Sequence, residues 1–530
     1  MTKGRAEWWR GAVIYQIYPR SFCDSNSDGV GDLPGIISKL DYVAGLGVDG
    51  VWLSPFFVSP MKDFGYDVAD YRDVDPLFGT LADFDALLAR AHALGLKVII
   101  DQVWAHTSDA HPWFVASAAA RQGPKADWYV WADARPDGSP PNNWQASFGG
   151  PSWTWGPRRR QYYFHNFLAA QPDLNFWNPA VGEEILSIAR FWLDRGVDGF
   201  RLDVIANLFK DRKLRENPRA AYETAPAMPT SFQRHVFDRC RPETVAFLSR
   251  LRALTDTYED RMMVGEVVDT PPLPRQLEYT AGTDRLHTAY GFLFLSARSA
   301  PPALFAEAMT AWEGASGWPS WSLGNHDVPR FASRLARSGD PRQARALLAA
   351  LFFLRGTIFL YQGEELGLPQ ANLPLAALKD PYAIAAYTGG AGRDGARTPM
   401  PWTTEGPSAG FSASAETWLP VDPAHRPLAV AAQQAGPDSF LQFTRRLIAL
   451  RAAHPALRLG EARVLRAPDG VLAIERSWQG ERLLCLINLG DQPAEFESGG
   501  QAAGVEDFLG GSVERGRARL ASFAGAVASL

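Results

Sequence analysis

Short strand-like runs alternate with amphipathic helical segments along most of this chain, and that alternation limits the fold more than any other feature. The runs at 13–18, 48–54, 97–103, 197–204, 262–267, 318–323 and 357–361 are rich in β-branched or aromatic residues. Between them, 81–94, 183–193, 244–257 and 341–353 carry apolar residues at helical spacing. Repetition of strand and helix predicts an α/β architecture with a parallel sheet. A further strand is expected near 286–295, and eight such units suit a closed (β/α)8 TIM barrel. No GxGxxG follows the first strand, which argues against a doubly wound dinucleotide-binding sheet.

Two stretches break the rhythm. Residues 107–178 are rich in Pro, Trp, Asn and Gly (PPNNWQASFGGPSWTW) and read as an inserted irregular subdomain after strand 3; a second insertion runs over 364–422. Loops of this length are usually functional. Beyond a last helix at 439–454, segments such as 471–477 and 482–488 alternate apolar and polar residues, predicting a C-terminal antiparallel β domain. The expected division is a barrel of residues 1–106 and 179–455, an inserted subdomain of 107–178, and a β domain of 456–530.

The net charge of −5 offers no basic stripe for nucleic acid and no cationic face for a membrane. The start, MTKGRAEWWRGAVIYQIYP, has no apolar run of signal-peptide length, and no run is long enough to cross a bilayer. Cys23, Cys240 and Cys485 form neither a metal-ligand spacing nor a disulfide framework, which predicts a soluble, cytoplasmic protein of a reducing compartment.

In such a barrel, polar residues at the carboxyl ends of strands read as catalytic. In GVDGFRLDVI (196–205), Arg201 and Asp203 lie two apart and face one way on a strand. An Arg and an Asp in an apolar segment need partners or a purpose. A structural ion pair at one strand end is unremarkable, but the other strands end alike: Asp101 with His106 after it, Glu266, and Asn325-His326-Asp327. Four charged ends converging on one rim are hard to explain as packing.

DQVWAHTS, GFRLDVI, VGEVV and LGNHDVPR resemble the four signature regions of the α-amylase family of glycoside hydrolases, in the family's order. QPDLN (171–175) and GRDGARTPMPW (392–402) are similar to motifs of its α-glucosidase and oligo-1,6-glucosidase branch. The resemblance implies a retaining, exo-acting α-glucosidase that releases glucose from short α-glucosides of the isomaltose or maltose type, with sucrose as a further candidate. It implies Asp203 as nucleophile, Glu266 as general acid and base, and Asp327 as the third carboxylate, gripping sugar hydroxyls. Glu266 should stay protonated near neutral pH while Arg201 keeps Asp203 ionised. His106 and His326 should donate to the same glucose, and Tyr66 should stack on it. Arg397 with Asp63 should close the far wall, although Arg393 in the same loop could serve instead. Phe148, Phe167 and Gln171 are pocket candidates from the insertion, each of which could equally be its core. Asp101 is expected to hold the site together. Val204, directly after the nucleophile, should border the leaving sugar; its branched side chain favours α-1,6-linked and sucrose-type substrates over α-1,4.

Many relatives have Asn where this chain has Ala105, which puts the family's calcium site between barrel and insertion in question. A second candidate is Asp24-Ser-Asn26-Ser-Asp28-Gly-Val30-Gly-Asp32, with oxygen ligands at alternate positions as in the opening of an EF-hand loop. Gly35 stands where a bidentate Glu would complete such a loop. The resemblance supports one structural calcium here, with Val30 giving its backbone carbonyl. Two rival functions remain: transglucosylation or sucrose isomerisation by the same mechanism, and a non-catalytic interaction module like the heavy chains of amino-acid transporters. The second fits poorly with the retention of Asp203, Glu266 and Asp327.

Overall fold

The computed structural model describes residues 7–221, 229–269, 271–338, 340–386, 392–497, 503–507, 509–514 and 516–530. The opening residues 1–6 and part of the second insertion, 387–391, lie outside them. Among these residues eight parallel strands close into a barrel: β1 (Val13–Ile17), β2 (Gly50–Leu53), β3 (Lys97–Gln102), β4 (Gly199–Leu202), β5 (Met262–Val267), β6 (Thr288–Gly291), β7 (Pro319–Trp321) and β8 (Thr357–Tyr361). Each pairs with its neighbour in sequence, and β1 closes the ring on β8. The strand expected near 286–295 is β6, and several strands are shorter than their apolar runs.

Period-two alternation splits each strand between two cores. Ile14, Trp52, Ile99, Val264, Tyr290 and Phe359 form a cluster inside the barrel. Their neighbours, among them Tyr15, Val51, Ile100, Phe200, Met263 and Ile358, belong to the larger cluster between strands and helices. The helices that follow the strands include α1 (Leu33–Ala44), α2 (Leu81–Ala93), α3 (Pro179–Asp194), α4 (Glu243–Thr255) and, after β8, the long helix Phe440–Ala453. Caps fix their entries: the Asp32 side chain accepts from Gly35 N–H, and Thr80 forms a capping box with Asp83.

The insertion after β3 holds a helix (Pro112–Ala119) and a three-stranded antiparallel sheet of Trp131–Ala132, Gln161–Phe164 and Trp153–Gly156. Trp144, Trp153 and Phe164 give that sheet a small aromatic core of its own. Beyond the long helix the chain forms antiparallel sheets, the larger built on the hairpin Val471–Trp478 and Glu481–Asn488. Cys23, Cys240 and Cys485 are free thiols. No helix of the described residues is long and apolar enough to cross a membrane.

Candidate active site

The alternation that fills the barrel also sets charge at its mouth. The inward positions pass from Ile99 to Asp101 on β3, from Gly199 to Arg201 on β4, and from Met262 and Val264 to Glu266 on β5. Asp203 lies just past β4, where its N–H donates to the Gln102 carbonyl at 2.9 Å. That bond extends the ladder far enough to keep Asp203 on the face of Arg201.

Arg201 is fully buried and stands among three carboxylates. Its Nη1 donates to Asp203 Oδ1 at 2.6 Å and to Asp101 Oδ1 and Oδ2 at 2.9 and 3.1 Å. Its Nη2 lies 2.8 Å from Glu266 Oε2, an ion-pair distance without hydrogen-bond alignment. The guanidinium sits over the Trp52 ring, 5.0 Å from its centroid. One positive charge cannot balance three buried negative ones, so protons make up the difference. Burial, only partly offset by Arg201, pushes Asp101 up to about 6, Asp203 to about 7 and Glu266 to about 8. Burial thus outweighs the ion pair expected to hold Asp203 at an ordinary carboxylate value. The order is still the useful one, because Glu266 keeps its proton at a pH where Asp203 has lost it.

The Asp203 and Glu266 carboxyls lie against the two amino nitrogens of the one Arg201 guanidinium, and the Val204 N–H donates to Glu266 Oε2 at 3.0 Å. Val204 adopts φ 34°, ψ 43°, a left-handed conformation that a β-branched residue rarely takes. Such backbones cost roughly 1–3 kcal/mol and cluster where a site over-determines them.

A cavity of about 260 Å³ opens above this cluster. Asp203, Val204, Glu266 and Asp327 border it, as do Asp63, Tyr66 and His106 from the barrel loops. Phe148, Phe167 and Gln171 reach it from the insertion, so they are not simply that subdomain's core. At the far wall Asp63 Oδ1 accepts from Arg393 Nη2 at 2.8 Å, and Asp63 Oδ2 from Gln171 Nε2 at 3.1 Å. Asp380 steadies Arg393, accepting from its Nε at 3.0 Å, its Nη2 at 2.8 Å and its backbone N–H at 2.8 Å. The Arg393 guanidinium packs 4.9 Å from the centre of the Phe148 ring.

Arg397 therefore does not close the wall with Asp63. It is fully buried and does not border the cavity; its Nη2 donates to Asp327 Oδ1 at 2.8 Å and its Nε to the His326 carbonyl at 2.7 Å. The short 3-10 turn Asp394–Ala396 separates the two arginines and sends them to different layers. His326 is likewise beneath the surface. Gln16 Nε2 lies 2.7 Å from its Nδ1, and the Tyr66 hydroxyl 2.7 Å from its Nε2. With the amide donating to Nδ1, the proton of the neutral ring sits on Nε2 and points to Tyr66, whose hydroxyl donates to Asp101 Oδ2 at 3.0 Å. Burial lowers His326 to about 3, so the ring stays neutral. It holds Tyr66 and Asp327 in place and does not face the cavity itself. Tyr66 is pinned through its hydroxyl, and His106 is a buried neutral ring whose Nε2 lies 3.1 Å from the Tyr66 carbonyl.

Asp327 has a quarter of its side chain exposed. Burial would raise it, but the charges of Arg397 and Arg393 hold it below the usual carboxylate range. Asn207, Arg239, Val268, Phe292 and Tyr382 also border the cavity. Val268 ends the signature segment VGEVV but reads there as one more apolar strand residue, and the other four stand outside any motif, so no signal in the sequence singled them out.

The loop of Asp24, Asn26, Asp28, Val30 and Asp32 is held by its own hydrogen bonds. Asn26, Asp28 and Val30 donate their N–H groups to the side chain two residues earlier. Asp24 Oδ2 also accepts from Gly29 N–H and Ser412 Oγ, and Asp32 caps α1. No three His, Cys, Asp or Glu side chains of the described residues stand close enough together to hold a metal ion as folded.

Comparison with known proteins gives one answer. The model of the alpha-amylase catalytic domain matches residues 16–460. A probable alpha-glucosidase of Rhizobium meliloti (strain 1021) is 52% identical over 502 residues, covering 93% of this chain and 91% of that protein. An oligo-1,6-glucosidase of Parageobacillus thermoglucosidasius is 36% identical over 524 residues, covering 92% of each. The crystal structure of XgtA, an alpha-glucosyl transfer enzyme, matches with a TM-score of 0.95 at 49% identity, covering 99% of this chain and 100% of that one.

Proposed function

The chain belongs to the α-amylase family of glycoside hydrolases, and we propose that within it this protein is a retaining, exo-acting α-glucosidase acting on short α-glucosides. The observation that carries the reading is the Asp203–Glu266 pair. Both carboxyls lie against one guanidinium, Asp203 Oδ1 2.6 Å from Arg201 Nη1 and Glu266 Oε2 2.8 Å from Nη2, a closeness that suits a retaining enzyme and not the wider gap in which an inverting one seats its water. Asp203, ionised, attacks the anomeric carbon as the glycosidic bond breaks and forms a glucosyl ester. Glu266, protonated, gives its proton to the departing oxygen, then takes one from the water that hydrolyses the ester. Arg201 keeps Asp203 aimed through its Nη1, and Asp327, anchored by Arg397, is placed to accept from sugar hydroxyls. The Asp63–Arg393 bridge closes the pocket beyond one sugar, which supports release of single glucose units from the non-reducing end.

Val204 at the mouth supports a preference for α-1,6 and sucrose-type bonds over α-1,4. The likeness to an alpha-glucosyl transfer enzyme favours a second reading. There the same ester passes its glucose to a sugar hydroxyl instead of water. For the loop 24–32 we infer one structural calcium, on the side chains of Asp24, Asn26, Asp28 and Asp32 and the Val30 carbonyl. The repeated bonds from N–H to the side chain two residues back support it, because they gather these oxygen side chains into one tight loop. The three free thiols support a reducing, cytoplasmic setting. The central test is NMR of the first-formed glucose from isomaltose and maltose: α-glucose is expected, and a β product would overturn the mechanism.

A further inference from the structure

Six charged side chains border the cavity, and five are accounted for. Asp63 and Arg393 pair with each other, Asp203 and Glu266 share Arg201, and Asp327 takes Arg393 and Arg397. The sixth, Arg239, makes no hydrogen bond or ion pair with any described residue. Its Nε and Nη2 are shielded from solvent and have no acceptor. Those two nitrogens form one edge of the guanidinium, where parallel N–H bonds suit a pair of oxygens. Leaving such donors buried and unmet is costly. The adjacent Asp238 feels the Arg239 charge but makes no ion pair with it: its Oδ2 is taken by His235, whose Nδ1 lies 2.7 Å away, and its Oδ1 is buried without a hydrogen bond.

The position of Arg239 is fixed by the two loops that carry the reacting groups. The next residue, Cys240, donates its N–H to the Ala206 carbonyl at 2.7 Å, on the turn after Val204. Its thiol reaches the Val268 carbonyl, on the segment after Glu266, at 3.6 Å. Arg239 therefore stands where the nucleophile and acid loops meet, while the Asp63–Arg393 wall closes the glucose pocket from elsewhere. Resting on the α-glucosidase reading, we propose that Arg239 is the binding residue for the leaving sugar, its guanidinium donating to the sugar's hydroxyls. A neutral polyol fits better than an anionic leaving group, because the cavity holds four carboxylates against two guanidiniums. By reversal of the same step, Arg239 would also orient a sugar acceptor in glucosyl transfer.

The test compares Arg239→Ala and Arg239→Lys with the wild type on isomaltose, maltose and 4-nitrophenyl α-glucoside, whose leaving group has no hydroxyl pair. For Arg239→Ala, kcat/KM on the disaccharides should fall about tenfold or more, the scale of lost charge-assisted hydrogen bonds, with little change on the aryl glucoside. Inhibition by free glucose, which occupies the other side, should not move. Arg239→Lys, with one charge but no fork, should recover part of the loss. Equal losses on all three substrates, no loss on any, or faster turnover of a 6-phosphorylated disaccharide than of its neutral parent would overturn the proposal. A wild type inactive on every α-glucoside would instead remove the reading beneath it.

Discussion

Glu266→Gln separates the two halves of the proposed reaction. Its carboxyl is almost wholly buried, and burial raises it to about 8, the condition for donating a proton near neutral pH. Neither neighbour can replace it. Asp203 is committed to carbon, and Asp327 is kept ionised by Arg397 and Arg393. A positioned general acid is worth roughly 10²–10⁴ in rate, or about 2.7–5.5 kcal/mol at about 1.36 kcal/mol per tenfold. Losses of that size are expected on isomaltose, whose sugar leaving group needs the proton. α-Glucosyl fluoride needs none, so its first step should survive, and the glucosyl ester should build up because the base for the second step is gone. A burst of fluoride followed by a slow steady rate is the predicted signature. The pH profile gives an independent check. Wild-type kcat/KM on isomaltose should decline above about pH 8 as Glu266 loses its proton, and below about 7 as Asp203 gains one. The variant's burst on the fluoride should lose only the alkaline limb. Equal losses on both substrates, or an alkaline limb that persists in the variant, would refute the assignment.

Asp203→Asn should fold normally, with an unchanged melting temperature within a few degrees, and lose nearly all turnover on every α-glucoside; retained activity would exclude it as nucleophile. Arg393→Ala strips Asp63 and Asp380 of a buried partner, which costs about 3–5 kcal/mol when the remaining charge stays uncompensated. Lower thermal stability and a raised KM for disaccharides are expected, and an unchanged KM would show that the wall does not contact glucose. Val204→Thr should move the isomaltose-to-maltose ratio of kcat/KM toward maltose by no more than a methyl contact allows, about 1–3 kcal/mol, and a fixed ratio would clear Val204 of that role. If loop 24–32 binds calcium, chelation should lower the melting temperature by mass action, whereas identical melts and no metal by elemental analysis would dismiss the ion.

Strand alternation made much of this molecule legible in advance. A run such as Lys97–Gln102 that places Ile99 and Asp101 on one face and Val98 and Ile100 on the other can only sit with one side in a barrel and the other under helices. The same parity put Arg201 and Asp203 on one face, and their places at strand ends put Asp101 and Glu266 on the same rim. What parity does not carry is how many protons a buried cluster keeps. Arg201 beside Asp203 reads as an ordinary ion pair until Asp101 and Glu266 are found on the same guanidinium, and then burial decides.

The loops failed for a different reason. A side chain there takes its direction from partners far along the chain. Arg393 is aimed by Asp380, 13 residues away, and by Asp63, 330 residues away. Arg397 is drawn under the site by Asp327, 70 residues away. Neither arginine has a periodicity that could tell them apart, so the motif located the loop but not which arginine faces the sugar. Arg239 was less visible still, since it belongs to no motif and no described residue accepts a hydrogen bond from it. The same lack of a partner that hid it from the sequence is what marks it in the structure, where a guanidinium beside the cavity with no acceptor of its own has donors to spare for a ligand.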